Sequence, residues 1–221
     1  MTVLIVAGGE LDNEFAKSYI KRIDSHALYI IACDKGYEAC ESLGIVPRLV
    51  VGDFDSTNNA AVARAKASGI EIKELNPVKD DTDVEVALKH AISVTNPGDE
   101  IYMLGCTGGR LDHTIGNFHL MGMGAQNKRA VIIVDSHNYI EMITPGETYI
   151  VEPETQFGKY VSVFPFMGPV TGLNMTGFKY SVNNKSLEGF DTLTVSNEVK
   201  SSAYAEITIE SGYLIVMETR D

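Results

Sequence analysis

Two hydrophobic patterns alternate along the first 135 residues or so of this chain. Short apolar runs, rich in β-branched residues, predict buried strands at residues 3–6, 27–32, 49–51, 71–75, 101–104 and 130–134. Between the fourth and fifth runs, apolar residues recur at helical spacing from Val84 to Ile92, behind a capping-box spacing from Thr82 to Glu85. Strand–helix alternation of this kind indicates a mostly parallel sheet with both faces covered.

The helical period disappears after about residue 135. Short runs, several of them alternating, predict strands at residues 148–151, 160–164, 193–195, 203–209 and 213–217. Turn signals separate them at Pro145-Gly146, Gly168-Pro169, Asn183-Asn184 and Ser211-Gly212. We therefore predict an α/β domain over residues 1–135 and an all-β sandwich domain over residues 136–221.

Composition narrows the possible functions. The formal net charge is −12 and no basic run occurs, which argues against nucleic-acid binding. No stretch approaches the roughly 20 apolar residues of a membrane span, and the N-terminal residues lack the features of a signal peptide. The three cysteines form no CxxC pair, so a disulfide framework is not expected. A cytoplasmic protein is the simplest interpretation.

Acidic residues follow several of the predicted strands. They are Asp34, Asp53, Asp55, Asp80, Asp81, Asp83 and Asp112. Parallel strands deliver such residues to one edge of a sheet, where ligands of open α/β folds bind. Converging carboxylates repel one another unless a cation lies among them, and oxygen ligands of this kind suit Mg²⁺ bound to substrate phosphates.

Each acidic cluster also has an ordinary structural explanation. Asp53 and Asp55 occupy alternate positions of an extended segment, so both could reach one Mg²⁺, but Asp55 could equally cap the helix that follows. Asp83 could serve only the dipole of its helix. Lys79, just before Asp80, could neutralise phosphate charge.

A glycine-rich turn follows the strand predicted at residues 101–104. Gly108 and Gly109 would let backbone N–H groups approach an anion at a helix N-terminus, and Arg110 would add a charged fork for phosphate oxygens. The alternative is a simple tight turn, with His113 as a capping or packed residue. Walker and dinucleotide-binding motifs are absent from the sequence.

Four short motifs in series resemble the thiamine pyrophosphokinase family. They are ACDKG at 32–36, GDFDS at 52–56, KDDTD at 79–83 and GGRLDH at 108–113. In the β-rich half, GFKY at 177–180 is similar to the family's GLKW, and TVSN at 194–197 is similar to its StSN. Tyr180 replaces the family's tryptophan, and a tyrosine stacks on a cationic ring less strongly.

The resemblance implies an N-terminal α/β domain, a C-terminal β-sandwich and a homodimer with active sites at the subunit interface. It also implies transfer of pyrophosphate from ATP to the hydroxyethyl group of thiamine, with Mg²⁺, giving thiamine diphosphate and AMP. Thiamine is a cation, so an acidic cleft with an aromatic platform suits it.

We assign the motif residues to roles on this basis. Asp53, Asp55 and Asp83 are expected to bind Mg²⁺, with Asp34 and Asp80 nearby. The nucleotide is expected to contact Lys79, Gly108, Gly109, Arg110 and His113, with Asp112 orienting Arg110 or the metal's waters. Thiamine is expected to contact Tyr180, Ser196 and Asn197.

Three other functions remain open at this point. A diphosphokinase acting on a pterin alcohol could share the GDFDS and GGRLDH motifs. A protein that binds thiamine or nucleotide without catalysis could keep the same scaffold. A metal-dependent phosphohydrolase would use water in place of the alcohol.

Overall fold

The computed structural model describes residues 1–23, 28–54, 59–76, 80–200 and 204–221. The chain divides into two compact units, Met1–Ser136 and His137–Asp221. Among the helices in the described ranges, none combines the length and the apolar character needed to cross a membrane.

The first unit is an α/β structure built on a parallel sheet. Its strands are β1 (Thr2–Val6), β2 (Leu28–Cys33), β3 (Leu49–Gly52), β4 (Glu71–Glu74), β5 (Glu100–Leu104) and β6 (Ala130–Val134). Its helices are α1 (Asn13–Ile23), α2 (Gly36–Leu43), α3 (Asn59–Ala67), α4 (Asp83–Val94) and α5 (Leu111–Gln126). The strands pair in the order β4-β3-β2-β1-β5-β6, every pair parallel, which confirms the predicted fold class of this half.

The order of the strands defines where a ligand can bind. From β1 the chain winds outward through β2, β3 and β4, and then crosses to β5 on the other side of β1. Consecutive residues of β1, from Val3 to Val6, are fully buried, as expected of a strand covered on both faces. Ligands of open α/β sheets bind outside the carboxyl ends of the strands at such a switch in strand order.

Helix α4 begins as the sequence predicts. The hydroxyl oxygen of Thr82 accepts a hydrogen bond from the backbone N–H of Glu85 at 3.2 Å. The helix buries Ala87, Leu88 and Ala91 on one face. An anchored N-terminus fixes the position of Asp83, the first residue of the helix.

The second unit is β-rich and antiparallel. Its strands are β7 (Asn138–Ile143), β8 (Thr148–Val151), β9 (Tyr160–Thr176), β10 (Val182–Leu187), β11 (Asn197–Glu198), β12 (Ala205–Thr208) and β13 (Ser211–Thr219). Strand β9 organises the unit because its first part pairs with β11 and β13, and its last part with β10 and β12. A buried core that includes Val163, Leu173 and Phe178 packs along it.

Three predictions about this second half are wrong. Gly168-Pro169 does not end a strand, because β9 runs through it with an irregularity at Met167, whose φ is +60°. Asn183-Asn184 lies within β10, where the left-handed Asn184 interrupts the pairing without reversing the chain. Residues 193–195 form a turn with Leu193 69% exposed, so their apolar character does not reflect strand burial.

Candidate active site

Three carboxylates from distant parts of the sequence meet in the first unit. Asp34 directly follows β2, Asp53 directly follows β3, and Asp83 opens α4. One carboxylate oxygen of each lies within 4.8 Å of the others, and all three side chains are partly buried. We call Asp34, Asp53 and Asp83 the acidic trio.

The local backbone explains how Asp34 reaches this position. Its φ is +46°, a left-handed conformation, and its N–H donates to the carbonyl oxygen of Val51 at 3.0 Å. Its side-chain Oδ1 accepts from the N–H of Phe54 at 3.3 Å. The carboxylate lies directly over Gly52, where a Cβ would be 1.9 Å from that oxygen. Glycine at position 52 is therefore required for the trio to form.

The acidic trio is electrostatically strained without a cation. Burial raises the pKa of Asp34 from 3.8 to about 7, assisted by the hydrogen bond and repulsion from Asp83 and by the charge of Asp53, while the Phe54 N–H acts in the opposite direction. Ligand oxygens of an octahedral Mg²⁺ lie about 3–4 Å apart. The spacing and the all-oxygen donor set of the trio fit such a cation.

The other acidic candidates lie in different surroundings. Asp80 is exposed and is not a member of the trio. Asp81 forms an ion pair with Lys89 at 2.8 Å, and Lys89 also forms an ion pair with Glu85 at 2.9 Å. Within the described part of the KDDTD motif, Asp83 is thus the residue directed to the trio, while Asp81 stabilises α4.

Two predicted site residues, Asp55 and Lys79, lie outside the described residues. Their predicted roles at the metal and the triphosphate stay predictions.

The loops after β1 and β5 interlock at the switch in strand order. The N–H of Gly9 donates to the carbonyl oxygen of Gly105 at 3.0 Å, and a Cβ on Gly9 would lie 2.4 Å from that oxygen. Gly108 and Gly109 are exposed, with φ of +80° and +57°. Glu10 lies beside them, since a Cβ on Gly108 would be 2.9 Å from its Oε2. The sequence patterns gave no reason to select Glu10.

Arg110 and Asp112 form a two-pronged pair at the start of α5. Nε and Nη2 of Arg110 donate to the two oxygens of Asp112 at 3.1 and 2.5 Å. The backbone N–H of His113 adds a bond of 3.0 Å to Asp112. The Arg110 guanidinium lowers the pKa of Asp112 to about 2. Both side chains are mostly exposed, so Asp112 orients a guanidinium that remains accessible.

The predicted thiamine residues come together in the second unit. Tyr180 is 64% exposed. Its N–H donates to Oδ1 of Asn197 at 3.0 Å, and its carbonyl oxygen accepts from Nδ2 of Asn197 at 2.8 Å. Oδ1 also accepts the N–H of Glu198 at 3.0 Å. The side-chain amide of the buried Asn197 therefore holds the backbone of Tyr180 in place.

We call the two hydrogen bonds between the Asn197 amide and the Tyr180 backbone the Asn197 clamp. Ser196 directly precedes Asn197 and has a left-handed conformation, with φ of +58°. Its N–H donates to the hydroxyl of Ser162 at 2.9 Å, so the backbone is fixed while the Ser196 side chain stays exposed. The neighbouring Thr194 is buried and donates its hydroxyl to the carbonyl oxygen of Val163 at 2.6 Å. The TVSN motif is thus anchored to β9 and presents the exposed hydroxyl of Ser196.

Sequence reasoning missed two charged residues at Tyr180. Lys179 Nζ lies 5.5 Å from the centroid of the Tyr180 ring and 3.3 Å from an oxygen of Glu198. A lysine next to the aromatic residue of the GFKY motif was the available signal, but its contact with Glu198 depends on pairing between distant segments.

Comparison with known proteins identifies the family. The sequence model of the thiamin pyrophosphokinase catalytic domain matches residues 20–133, and that of the thiamin pyrophosphokinase vitamin B1 binding domain matches residues 147–214. A thiamine pyrophosphokinase from Bacillus subtilis (strain 168) is 33% identical over 220 residues, covering 100% of this chain and 99% of the relative.

Solved structures agree with the sequence matches. The crystal structure of thiamine pyrophosphokinase from Bacillus subtilis superimposes with a TM-score of 0.87 at 31% identity, covering 100% of both chains. That of thiamin pyrophosphokinase from Geobacillus thermodenitrificans gives 0.85 at 30% identity, covering 100% of this chain and 98% of the other. The resemblance found in the motifs is confirmed, and the chain belongs to the thiamin pyrophosphokinase family.

Proposed function

We propose that this chain transfers the pyrophosphoryl group of ATP to the hydroxyethyl oxygen of thiamine, giving thiamine diphosphate and AMP. The enzyme class follows from its family, whose members carry the name thiamine pyrophosphokinase. In the reaction the thiamine oxygen bonds to the β-phosphorus, the bond from that phosphorus to the oxygen of the α-phosphate breaks, and the alcohol loses its proton.

The observation that carries the proposal is the acidic trio. Asp34, Asp53 and Asp83 converge within 4.8 Å at the carboxyl edge of a parallel sheet, where a nucleotide's phosphates would lie. We propose that these residues would hold Mg²⁺, which would offset the negative charge of the phosphates during transfer. Asp55 stays in the proposal as a further Mg²⁺ ligand, and Asp80 as a residue near the metal.

The remaining residues of the first unit would bind and align the triphosphate. Arg110 offers an exposed guanidinium, held by Asp112, to the charge that develops on the leaving AMP. Gly108 and Gly109 would let backbone N–H groups approach phosphate oxygens beside it. Positioning and charge stabilisation account for most of the catalysis of phosphoryl transfer, so no covalent intermediate with the protein is needed.

The second unit would bind thiamine. The exposed ring of Tyr180, fixed by Asn197, offers a platform for the cationic thiazolium or the aminopyrimidine. Ser196 offers a hydroxyl beside it. We accordingly assign ATP and Mg²⁺ to the unit Met1–Ser136 and thiamine to the unit His137–Asp221.

We extend the proposal to the oligomeric state of the protein, the arrangement of its second unit and its location in the cell. A homodimer is supported by an exposed apolar stretch in the second unit that includes Phe190, Leu193 and Val195. A sandwich arrangement of that unit is supported by the change of partners along β9. A cytoplasmic location is supported by the buried free thiols of Cys33, Cys40 and Cys106.

The test is AMP formation from Mg²⁺-ATP with and without thiamine, followed by mass analysis of the vitamin. Thiamine-dependent AMP with thiamine diphosphate is the expected result. ADP with thiamine monophosphate would contradict the pyrophosphoryl step, and turnover with a hydroxymethylpterin but not thiamine would contradict the acceptor.

Two variants test the acidic trio in the same assay. Asp83→Asn removes one carboxylate of the trio, and we expect kcat to fall by roughly two orders of magnitude or more. Asp81→Asn changes a carboxylate two residues away that pairs with Lys89, and kcat should stay within about threefold of the wild type. Near-normal kcat in Asp83→Asn would refute the metal assignment.

A further inference from the structure

We propose that Lys179 limits the affinity of the thiamine platform, as a resident cation that lies over the face of Tyr180 and that any ligand of this ring must displace. This inference rests on the proposed function, in which Tyr180 is the platform for thiamine. It adds a competitor to that platform: the ring accepts a new cation only if this cation replaces the lysine.

The geometry places the lysine on the ring. Lys179 Nζ lies 5.5 Å from the centroid of the Tyr180 ring, within the range of cation–π attraction. The backbone N–H and carbonyl of Tyr180 are held by the two hydrogen bonds to Asn197, which fix the point from which the ring projects. The attractive face of an exposed aromatic residue is thus already in use.

Glu198 provides the second position that displacement requires. Its Oε1 lies 3.3 Å from Lys179 Nζ, and its Oε2 lies 3.7 Å from Lys159 Nζ. The N–H of Lys179 donates to the carbonyl oxygen of Glu198 at 2.8 Å, so the two residues stay adjacent when the side chains move. Lys179 can leave the ring and keep its ion pair.

Displacement of the lysine costs every ligand of Tyr180 the same attraction, whether the ligand is charged or neutral. A thiazolium ion then forms a cation–π contact of its own, whereas a neutral ring does not. Exposed cation–π contacts are worth only about 0.5–1 kcal/mol, which corresponds to roughly a two- to fivefold change in affinity. The expected effect is therefore modest, and it appears in thiamine binding and not in the chemical step.

The decisive variant is Lys179→Met, which keeps an unbranched apolar side chain and removes the charge. We expect its KM and calorimetric Kd for thiamine to fall roughly two- to fivefold, with kcat unchanged. The matched control is Lys159→Met, since Lys159 shares Glu198 and lies 5.0 Å from the centroid of a different ring, that of Tyr160. Thiamine binding by this control should not change.

A neutral analogue separates displacement of the lysine from simple repulsion between two cations. In this analogue a thiophene replaces the thiazolium ring, and its inhibition constant should fall in Lys179→Met by about the same factor as the thiamine Kd, because it displaces the same lysine. An unchanged or higher thiamine KM in Lys179→Met, or a gain confined to thiamine, would overturn the inference. Absence of thiamine-dependent AMP in the wild type would instead overturn the proposed function.

Discussion

Replacing Asp34 by asparagine should stabilise the metal-free protein while impairing its reaction. Asparagine keeps an oxygen that can accept the N–H of Phe54, and it tolerates the φ of +46° at this position. The substitution removes one charge from the acidic trio, so it relieves the repulsion from Asp53 and Asp83. The variant should therefore fold normally, and its stability should report the electrostatic cost of the site.

The magnitude follows from the pKa of Asp34, raised from 3.8 to about 7. A carboxyl group with a raised pKa contributes stability that is complete below its unfolded pKa and is lost as the pH rises through the folded pKa. Two pH units below pH 7 correspond to about 2.7 kcal/mol at about 1.36 kcal/mol per unit. Asp34 is partly exposed and solvent screens the interaction, so about 1–1.5 kcal/mol is expected between pH 5 and pH 8.

Urea unfolding followed by circular dichroism measures this difference. In EDTA, the stability advantage of Asp34→Asn over the wild type should be about 1–1.5 kcal/mol larger at pH 8 than at pH 5. Mg²⁺ at pH 8 should stabilise the wild type more than the variant, since it binds the folded trio. Glu14→Gln, on the exposed first turn of α1, is the control and should show neither effect.

The reasoning is refuted if Asp34→Asn is no more stable than the wild type at pH 8 in EDTA. It is also refuted if the variant gains equally at pH 5 and pH 8, because the gain would then not come from titration. An equal response of both proteins to Mg²⁺ would place the cation elsewhere.

Three further substitutions test separate parts of the structure. Gly52→Ala puts a Cβ 1.9 Å from Oδ1 of Asp34, so kcat should fall about a hundredfold and the Mg²⁺-dependent rise in melting temperature should be lost. Asn197→Ala removes the clamp on Tyr180, and loss of two hydrogen bonds of about 1 kcal/mol each should raise thiamine KM about tenfold or more, with a smaller change in ATP KM. Arg110→Lys loses the two-pronged geometry with Asp112, so kcat/KM for ATP should fall about tenfold or more while circular dichroism stays unchanged.

Local patterns were sufficient for most of the first unit. Continuous apolar runs such as that of β1 are typical of strands buried on both faces, and the Thr82–Glu85 spacing located the start of α4. The second unit was harder because edge and irregular strands do not need a regular apolar pattern. Strand β10 contains Asn183 and Asn184 and has exposed residues from Asn183 to Ser186, so it lacks the expected alternation.

The candidate active site was also predicted only in part. The sequence predicted Asp53, Asp55 and Asp83 as metal ligands, with Asp34 and Asp80 nearby, because acidic residues follow several predicted strands and would meet at one edge of the sheet. It did not predict that Asp34 would join Asp53 and Asp83 in one group, which depends on contacts between distant segments. It also gave Asn197 a direct contact with thiamine, whereas the structure engages its amide with the backbone of Tyr180.

The family, the succession of strands and helices in the first half, and the residue types that can bind a cation and phosphates can all be inferred from the amino-acid sequence. These inferences rest on short-range periodicity and on motifs whose spacing is contained in the chain. The set of carboxylates that share one cation site, the need for glycine at position 52 and the charges around Tyr180 become visible in the folded structure. Those contacts join residues far apart in the chain, and distances of a few ångströms between them depend on strand order and register.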